Sequence, residues 1–140
     1  MLGGSNPSPD AKSSSVMKNR SIKGRYKPLN AEKYLGNVNK ITYRSLWERR
    51  FMLYCDRSPN IVSWSSEELH IPYISPKDNK WHNYYPDFFV NTVDQQSIIV
   101  EIKPSQQTKW AINRHKWWYA EKYCYRNGYN FKVLTEKDLF

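Results

Sequence analysis

The sequence contains little cysteine, and the little it has forms no recognisable metal or disulfide pattern. Its two cysteines, Cys55 and Cys124, lie far apart and lack a Cys-x-x-Cys spacing. The three histidines share no zinc-ligand spacing with each other or with cysteine, which argues against a zinc site. We therefore expect two buried thiols in a reducing compartment and not a disulfide scaffold.

Long apolar runs are also missing. No stretch approaches the roughly 18 consecutive apolar residues that suggest a membrane span, and no apolar segment typical of a secretion signal follows the N-terminus. The sequence therefore predicts a soluble protein without a membrane partner or a recognisable secretion signal.

Acidic residues are scarce relative to basic ones. The 140-residue chain has 13 Asp and Glu against 22 Lys and Arg, which gives a formal net charge of +9. Such an excess on a small protein favours a polyanionic partner, most commonly nucleic acid, although anionic membranes and acidic proteins attract the same charge. Aromatic residues are abundant, at 16%, and can build a substantial core from a short chain.

Composition divides the chain into three parts. Residues 1–20 are rich in Ser, Pro, Gly and Asn and nearly devoid of large apolar groups, so they are predicted to be a disordered tail. Residues 21–40 form a predicted basic arm, which either follows a phosphate backbone or is a solvated tail. Residues 41–140 are predicted to fold as a single domain.

Residue periodicity predicts a mixed α/β fold. Capping residues mark the start of each helix, and turn residues separate the strand-like runs. The predicted elements are a helix from a capping box at Ser45 to about Arg57, strands at Glu67–Ile74, Trp81–Val93 and Ser97–Lys103, a helix from a cap at Thr108 to Asn127 before Gly128, and a strand at Phe131–Leu134. This order of helix, three strands, helix and strand predicts helices flanking a central mixed sheet.

Two charged residues fall on one face of the third predicted strand. Alternation places Glu101 and Lys103 together on that face, where burial requires a partner or a metal ion. If the preceding turn is centred on Gln95, Asp87 lies opposite Lys103 and diagonal to Glu101. The two carboxylates then converge on one cation.

Carboxylates converging from adjacent strands favour a hard divalent cation, Mg²⁺ or Mn²⁺ as its substitute. The backbone carbonyl of Ile102 is a further candidate ligand. Such an ion would activate a water molecule against a phosphodiester, while Lys103 would position that water or stabilise the transition state. The alternative interpretation is a surface salt-bridge cluster of Asp87, Glu101 and Lys103.

These residues resemble the signature of the PD-(D/E)xK nuclease superfamily. Pro86-Asp87 is followed after thirteen residues by Glu101-Ile102-Lys103. The resemblance implies a restriction-endonuclease-like core and an Mg²⁺-dependent DNA endonuclease, with Asp87, Glu101 and Lys103 as the catalytic group.

The resemblance implies two further site residues. Superfamily members often add an acidic residue from the first helix, which Glu48 matches as a metal ligand, although Glu48 also fits a capping role. Gln107 resembles an extra polar residue that some relatives carry after the lysine. A polar residue before a helix cap is the alternative, and Gln106 competes for the role.

A closer resemblance, to the head-completion nucleases of T4-like tailed phages, covers nearly the whole chain after about residue 22. The matching segments are Ile41–Glu48, Trp64–Glu68, Ile71–Tyr73, Tyr85–Phe88 and Val100–Pro104. The resemblance implies action after DNA packaging, portal or neck proteins as partners, and a place in the virion or host cytoplasm. The alternatives are a non-catalytic virion protein that binds DNA ends and a transposon-type or junction-resolving endonuclease. The oligomeric state stays open.

Basic residues near these motifs are candidates for phosphate contacts, with solvated surface as the alternative. They are Arg44, Lys109, Arg114 and Lys116. Trp118 and Tyr119 point away from the predicted apolar stripe of the second helix and are further candidates for contact with DNA.

Overall fold

A computed structural model describes residues 22–140, and the predicted disordered tail at residues 1–20 lies outside this range. The described part of the predicted basic arm packs against the chain that follows, because Tyr26 and Tyr34 are buried in the same core as the first helix. The division into tail, arm and domain remains a prediction. Among the described residues, no helix combines the length and the apolar character needed to cross a bilayer.

The described residues form strands and α-helices joined by short connections. In chain order they are β1 (Gly24–Arg25), β2 (Thr42–Tyr43), α1 (Leu46–Arg57), β3 (Ile61–Ser66), β4 (Ile71–Ile74), β5 (Trp81–Tyr84), β6 (Phe88–Thr92), β7 (Ser97–Ile102), α2 (Ala111–Asn127), β8 (Asn130–Leu134) and α3 (Glu136–Leu139). Short 3-10 helices occur at Ala31–Lys33, Val38–Lys40 and Ser105–Gln107.

Both predicted helices are present, but the second starts later than predicted. Ser45 caps α1, and its hydroxyl accepts a hydrogen bond from the backbone N–H three residues on, at 3.1 Å. The predicted cap at Thr108 is wrong, because Ser105–Gln107 first form a 3-10 turn and Trp110 becomes the N-cap of α2. Gly128 ends α2 in the left-handed conformation, with φ of 73°, as predicted.

Two predicted strands are interrupted in the structure. The strand predicted at Glu67–Ile74 is wrong in its first part, because Glu67 has a φ of 55° and β3 ends just before it. The strand predicted at Trp81–Val93 divides into β5 and β6 around Pro86, which has no N–H to donate to a ladder.

The central sheet has four strands in the order β3-β6-β7-β8. The first two pairings are antiparallel, whereas β7 and β8 run parallel and are joined by α2 as a crossover. One face packs against α1 and the N-terminal segment, and the other packs against α2 and the β4–β5 hairpin. This arrangement confirms the predicted mixed α/β fold.

Strand β7 divides its side chains between these two faces, as predicted. Val100 and Ile102 belong to the core beneath α1, whereas Ile99 belongs to the core beneath α2. Cys55 and Cys124 are buried free thiols, one in each core. The prediction of two buried thiols is confirmed, and the sheet keeps them apart.

The predicted register of β6 with β7 is wrong by two residues. Phe88 pairs with Val100, because the hairpin loop is centred on Asp94 and Gln95 adopts a φ of 68°. This is the common three-residue loop with its last residue in the left-handed region. A shift of two keeps every side chain on its predicted face, and it places Asp87 opposite Glu101 instead of opposite Lys103.

Asp56, at the end of α1, ties the N-terminal segment to the core. Its carboxylate is fully buried and accepts hydrogen bonds from the Tyr26 hydroxyl at 2.7 Å and from the backbone N–H groups of Leu29 and Asn30 at 2.8 and 2.9 Å. The Lys33 ammonium donates to its backbone carbonyl at 3.0 Å. Burial raises the pKa of Asp56, but these hydrogen bonds outweigh burial and hold the pKa below its ordinary value.

Replacing Asp56 with alanine should lower the free energy of unfolding by about 3 kcal/mol, because one buried and two partly buried donors lose their acceptor. Urea unfolding at neutral pH measures the change. Because the folded-state pKa is lowered, the contribution of Asp56 should be lost only as the pH falls through that lowered pKa. The exposed Glu32 is the control, and Glu32→Ala should change stability by less than about 0.5 kcal/mol. If Asp56→Ala also lowered the free energy of unfolding by less than about 0.5 kcal/mol, Asp56 would not be holding the N-terminal segment to the core.

Candidate active site

Asp87 lies directly before β6, and its carboxylate accepts a hydrogen bond that a backbone carbonyl would accept in a regular strand pairing. The Ile102 backbone N–H donates to Oδ2 of Asp87 at 2.7 Å. The backbone carbonyl of Asp87 accepts a hydrogen bond from the Glu67 N–H at 3.1 Å. Asp87 is thus fixed from two neighbouring strands, with its side chain half-buried between them.

Pro86 changes the backbone hydrogen bonding of Ile102, the residue opposite it on β7. Thr92 N–H donates to the Gln96 carbonyl, so even-numbered residues of β7 direct their backbone groups towards β6. In this register Ile102 lies opposite Pro86, which has no N–H to donate. The Ile102 carbonyl therefore accepts no ladder hydrogen bond from Pro86. It points along the plane of the sheet towards the strand that follows Asp87.

Glu101 is buried on the same face, with both carboxylate oxygens in contact with polar groups. Its Oε1 accepts hydrogen bonds from the Tyr84 hydroxyl at 2.9 Å and from the Asp87 N–H at 3.3 Å. Its Oε2 lies 3.7 Å from the half-buried Lys103 ammonium. The structure thus brings Asp87, Glu101 and Lys103 together, as predicted.

The acidic residues of this group resist ionisation. Burial raises the pKa of Asp87 well above its ordinary value, and the nearby Glu101 and Glu48 raise it further. Burial also raises the pKa of Glu101, while Lys103 and the Tyr84 hydrogen bond partly oppose that rise. The charged forms of these acids are therefore costly unless a cation lies beside them.

Glu48 serves the helix and also faces the acidic group. Its backbone N–H binds the Ser45 cap, while its Oε1 accepts a hydrogen bond from the Arg44 N–H at 2.9 Å. Burial raises the pKa of Glu48, and the charge of Glu101 contributes to that rise. The capping and the metal-site interpretations are therefore compatible.

The predicted DNA-contact residues have different surroundings. The Arg44 guanidinium forms two hydrogen bonds with Glu67, at 3.0 and 3.1 Å. Lys116 is half-buried near the acids, and burial followed by the charge of Lys103 lowers its pKa. Lys109 and Arg114 are exposed around the start of α2.

Gln107 lies in the turn between β7 and α2, where its carbonyl accepts hydrogen bonds from Asn113 Nδ2 at 2.9 Å and from Trp110 N–H at 3.1 Å. Among the hydrogen bonds of residues 22–140, none joins Gln107 to the acidic residues. Its predicted catalytic role remains a hypothesis.

Two residues of this site were not predicted from the sequence. Tyr84 orients Glu101, and this role becomes visible only if the strand predicted at Trp81–Val93 is divided before Pro86. Glu67 pairs with Arg44 and donates its backbone N–H to the Asp87 carbonyl. Nothing about a glutamate predicts the positive φ of 55° that Glu67 adopts.

Among the described residues, no three His, Cys, Asp or Glu side chains already surround a common ion position. The chemistry of the group nevertheless fits a hard divalent cation, because Asp87, Glu101 and the Ile102 carbonyl supply oxygen donors only. A cation beside these oxygens would also offset the cost of burying the charged carboxylates, which raises their pKa values.

Comparison with known proteins agrees with this geometry. The family described as TnsA-like endonuclease N terminal matches residues 58–136. The chain belongs to this endonuclease family. The matched range of this TnsA-like endonuclease contains Asp87, Glu101 and Lys103 and begins after Glu48.

The similarity to a phage protein is longer. The head completion nuclease of Enterobacteria phage T4 is 32% identical to this TnsA-like endonuclease over 138 residues, covering 83% of the chain and 92% of that protein. The resemblances drawn from the sequence motifs are thereby confirmed.

In the metal-free protein, Asp87→Asn should raise the free energy of unfolding at neutral pH, because burial and the charge of Glu101 disfavour the ionised carboxylate and the neutral amide avoids that cost. The gain should shrink as the pH falls through the raised pKa of Asp87, since the native carboxyl then becomes neutral as well. Urea unfolding in EDTA across this pH range measures the effect.

The exposed Glu32→Gln is the matched control and should leave stability nearly unchanged at each pH. If Asp87→Asn were less stable than the native protein at neutral pH, the inference that burial disfavours the charged Asp87 carboxylate would be contradicted.

Proposed function

We propose that this protein is a divalent-metal-dependent DNA endonuclease that acts in phage head completion after DNA packaging. The observation that carries the proposal is the placement of Asp87 and Glu101 opposite each other, with the Lys103 ammonium 3.7 Å from Glu101. Family membership supports nuclease activity, and the similarity to the head completion nuclease of phage T4 supports the stage at which it acts.

The residues that would hold Mg²⁺, or Mn²⁺ in its place, are Asp87, Glu101, the Ile102 carbonyl and Glu48. Hydrogen bonds occupy Oδ2 of Asp87 and Oε1 of Glu101, which leaves Oδ1 and Oε2 as the carboxylate oxygens for the ion. When bound, the ion would polarise the phosphodiester, lower the pKa of a water molecule and compensate charge on the leaving oxygen.

Lys103 would act on the reacting atoms directly. Glu101 holds its ammonium beside the acids, where it can orient the attacking water and stabilise the negative charge of the transition state. Tyr84 would be a positioning residue, since its hydroxyl fixes Glu101 through a buried hydrogen bond.

The net charge of +9 supports DNA as the partner. Arg44 and Lys116 lie next to the acidic group and are proposed to bind the phosphates that flank the scissile bond. Lys109 and Arg114, around the start of α2, are proposed to contact DNA farther from the scissile bond, and Gln107, in the turn before α2, is proposed as the extra polar residue of the catalytic group. Portal or neck proteins are the proposed particle partners, with the virion or host cytoplasm as the place of action.

Replacing Lys103 with methionine should slow cleavage of supercoiled DNA about 10²- to 10³-fold, because the reaction loses a charge placed at the transition state. Agarose-gel assays with Mg²⁺ or Mn²⁺ measure the rate, and DNA binding in EDTA should change little. Lys132→Met, at an exposed position on β8, is the matched control and should cleave normally.

Intact DNA in the presence of the native protein and either ion would contradict the proposal. Full restoration of head completion by Asp87→Ala or Lys103→Ala proteins would favour the non-catalytic DNA-end-binding alternative instead.

Replacing Tyr84 with phenylalanine should raise the Mg²⁺ concentration needed for half-maximal cleavage about 10-fold, because Glu101 loses the group that orients it. The rate at saturating Mg²⁺ should fall much less. An Mg²⁺ titration of cleavage separates the two quantities, with exposed Tyr54→Phe as the control. An unchanged Mg²⁺ requirement would show that the hydroxyl does not position Glu101.

A further inference from the structure

An exposed aromatic groove lies between α2 and the β4–β5 hairpin. It encloses a cavity of about 350 Å³, and its aromatic lining consists of Trp81, Trp118, Tyr119 and Tyr123. Trp81 is 65% exposed and Trp118 is 54% exposed. A cluster of large apolar rings left in water is typical of a binding surface and unusual for idle surface.

Positive charge accompanies these rings. The Lys122 ammonium lies 5.2 Å from the centre of the Trp118 ring, and Arg126 also lines the groove. None of the residues that line the groove is acidic. Aromatic rings that alternate with cations are the features by which proteins hold single-stranded nucleic acid, the rings stacking on bases and the cations meeting phosphates.

A chain of buried and half-buried side chains links the groove to the candidate active site. Tyr84 donates its hydroxyl to Glu101, and its ring centre lies 5.8 Å from the Lys116 ammonium. The same ammonium lies 5.7 Å from the Tyr73 ring centre, and the Tyr73 ring centre lies 6.3 Å from that of Tyr119. Tyr119 belongs to the groove, so direct contacts connect the acids to the exposed rings.

We propose that this groove binds an unpaired DNA strand beside the cleavage site. Bases would stack on Trp81 and Trp118, while Lys122 and Arg126 would contact the backbone. Unpaired bases offer free faces for stacking, whereas bases inside a duplex are already stacked on their neighbours. The inference rests on the proposed nuclease function and adds its substrate class, DNA with a single-stranded segment next to the cut.

The binding test uses a fluorescent oligothymidylate of about 12 nucleotides, which suits the site sizes of such proteins. In EDTA, the double variant Trp81→Ala with Trp118→Ala should bind it about 10- to 100-fold more weakly than the native protein, by fluorescence anisotropy. Binding of a blunt duplex should change little. Tyr54→Ala removes an exposed aromatic ring from α1, on the other side of the sheet, and should bind normally.

Conservative variants keep the test independent of folding. Trp118→Phe retains a ring and should keep most of the affinity that Trp118→Ala loses. Equal binding of the oligothymidylate by the double variant and the native protein would overturn the inference, and so would a Trp118→Phe loss as large as that of Trp118→Ala.

Cleavage separates the groove from the nuclease proposal. With Mg²⁺, the native protein should cut a duplex with an unpaired tail faster than a blunt duplex, and the double variant should lose this preference. A native protein that cuts neither substrate yet binds the oligothymidylate through the groove would refute the nuclease proposal alone. Normal cutting with no effect of the double variant would refute the groove alone.

Discussion

The site depends on one strand pairing, which holds two carboxylates opposite each other in a largely buried setting. Burial raises the pKa values of both Asp87 and Glu101, and the charge of Glu101 raises that of Asp87 further, so the paired strands hold two acids whose charged forms are disfavoured. Three neutral donors, the Ile102 and Asp87 N–H groups and the Tyr84 hydroxyl, hold them in place. These donors orient the acids without supplying positive charge. Lys103 is the cation that lies beside Glu101.

The two faces of the sheet have different roles: the α1 face contributes mainly to stability, and the α2 face carries Glu101 and Tyr84 of the candidate active site. Beneath α1, Asp56 gathers the N-terminal segment onto a core that includes Trp47 and Trp64. On the α2 face, Tyr84 belongs to the second core, and its hydroxyl holds Glu101. Because β7 contributes to both faces by alternation, packing on the α1 side fixes the strand that presents Glu101 on the other.

The sequence was sufficient to predict what depends on alternation and capping, and insufficient for what depends on loop geometry. The face of Glu101 and Lys103 follows from a period of two, so an error of two residues in register left it unchanged. The register itself depended on where the hairpin turned, which Gln95 in a left-handed conformation decided. Glu67 likewise takes a positive φ that its residue type does not announce, and the short α3 helix was too brief for a periodic signal.

The β4–β5 hairpin, absent as a unit from the sequence interpretation, joins the two proposed activities. Strand β5 is only four residues long, yet its buried end, Tyr84, donates to Glu101, and its exposed end, Trp81, lines the groove. Its partner β4 supplies Tyr73, whose ring lies between Lys116 and Tyr119. A DNA strand held at Trp81 would therefore lie on the strand whose other end orients Glu101. One short hairpin thus contributes a ring to the groove and a hydroxyl to the candidate active site.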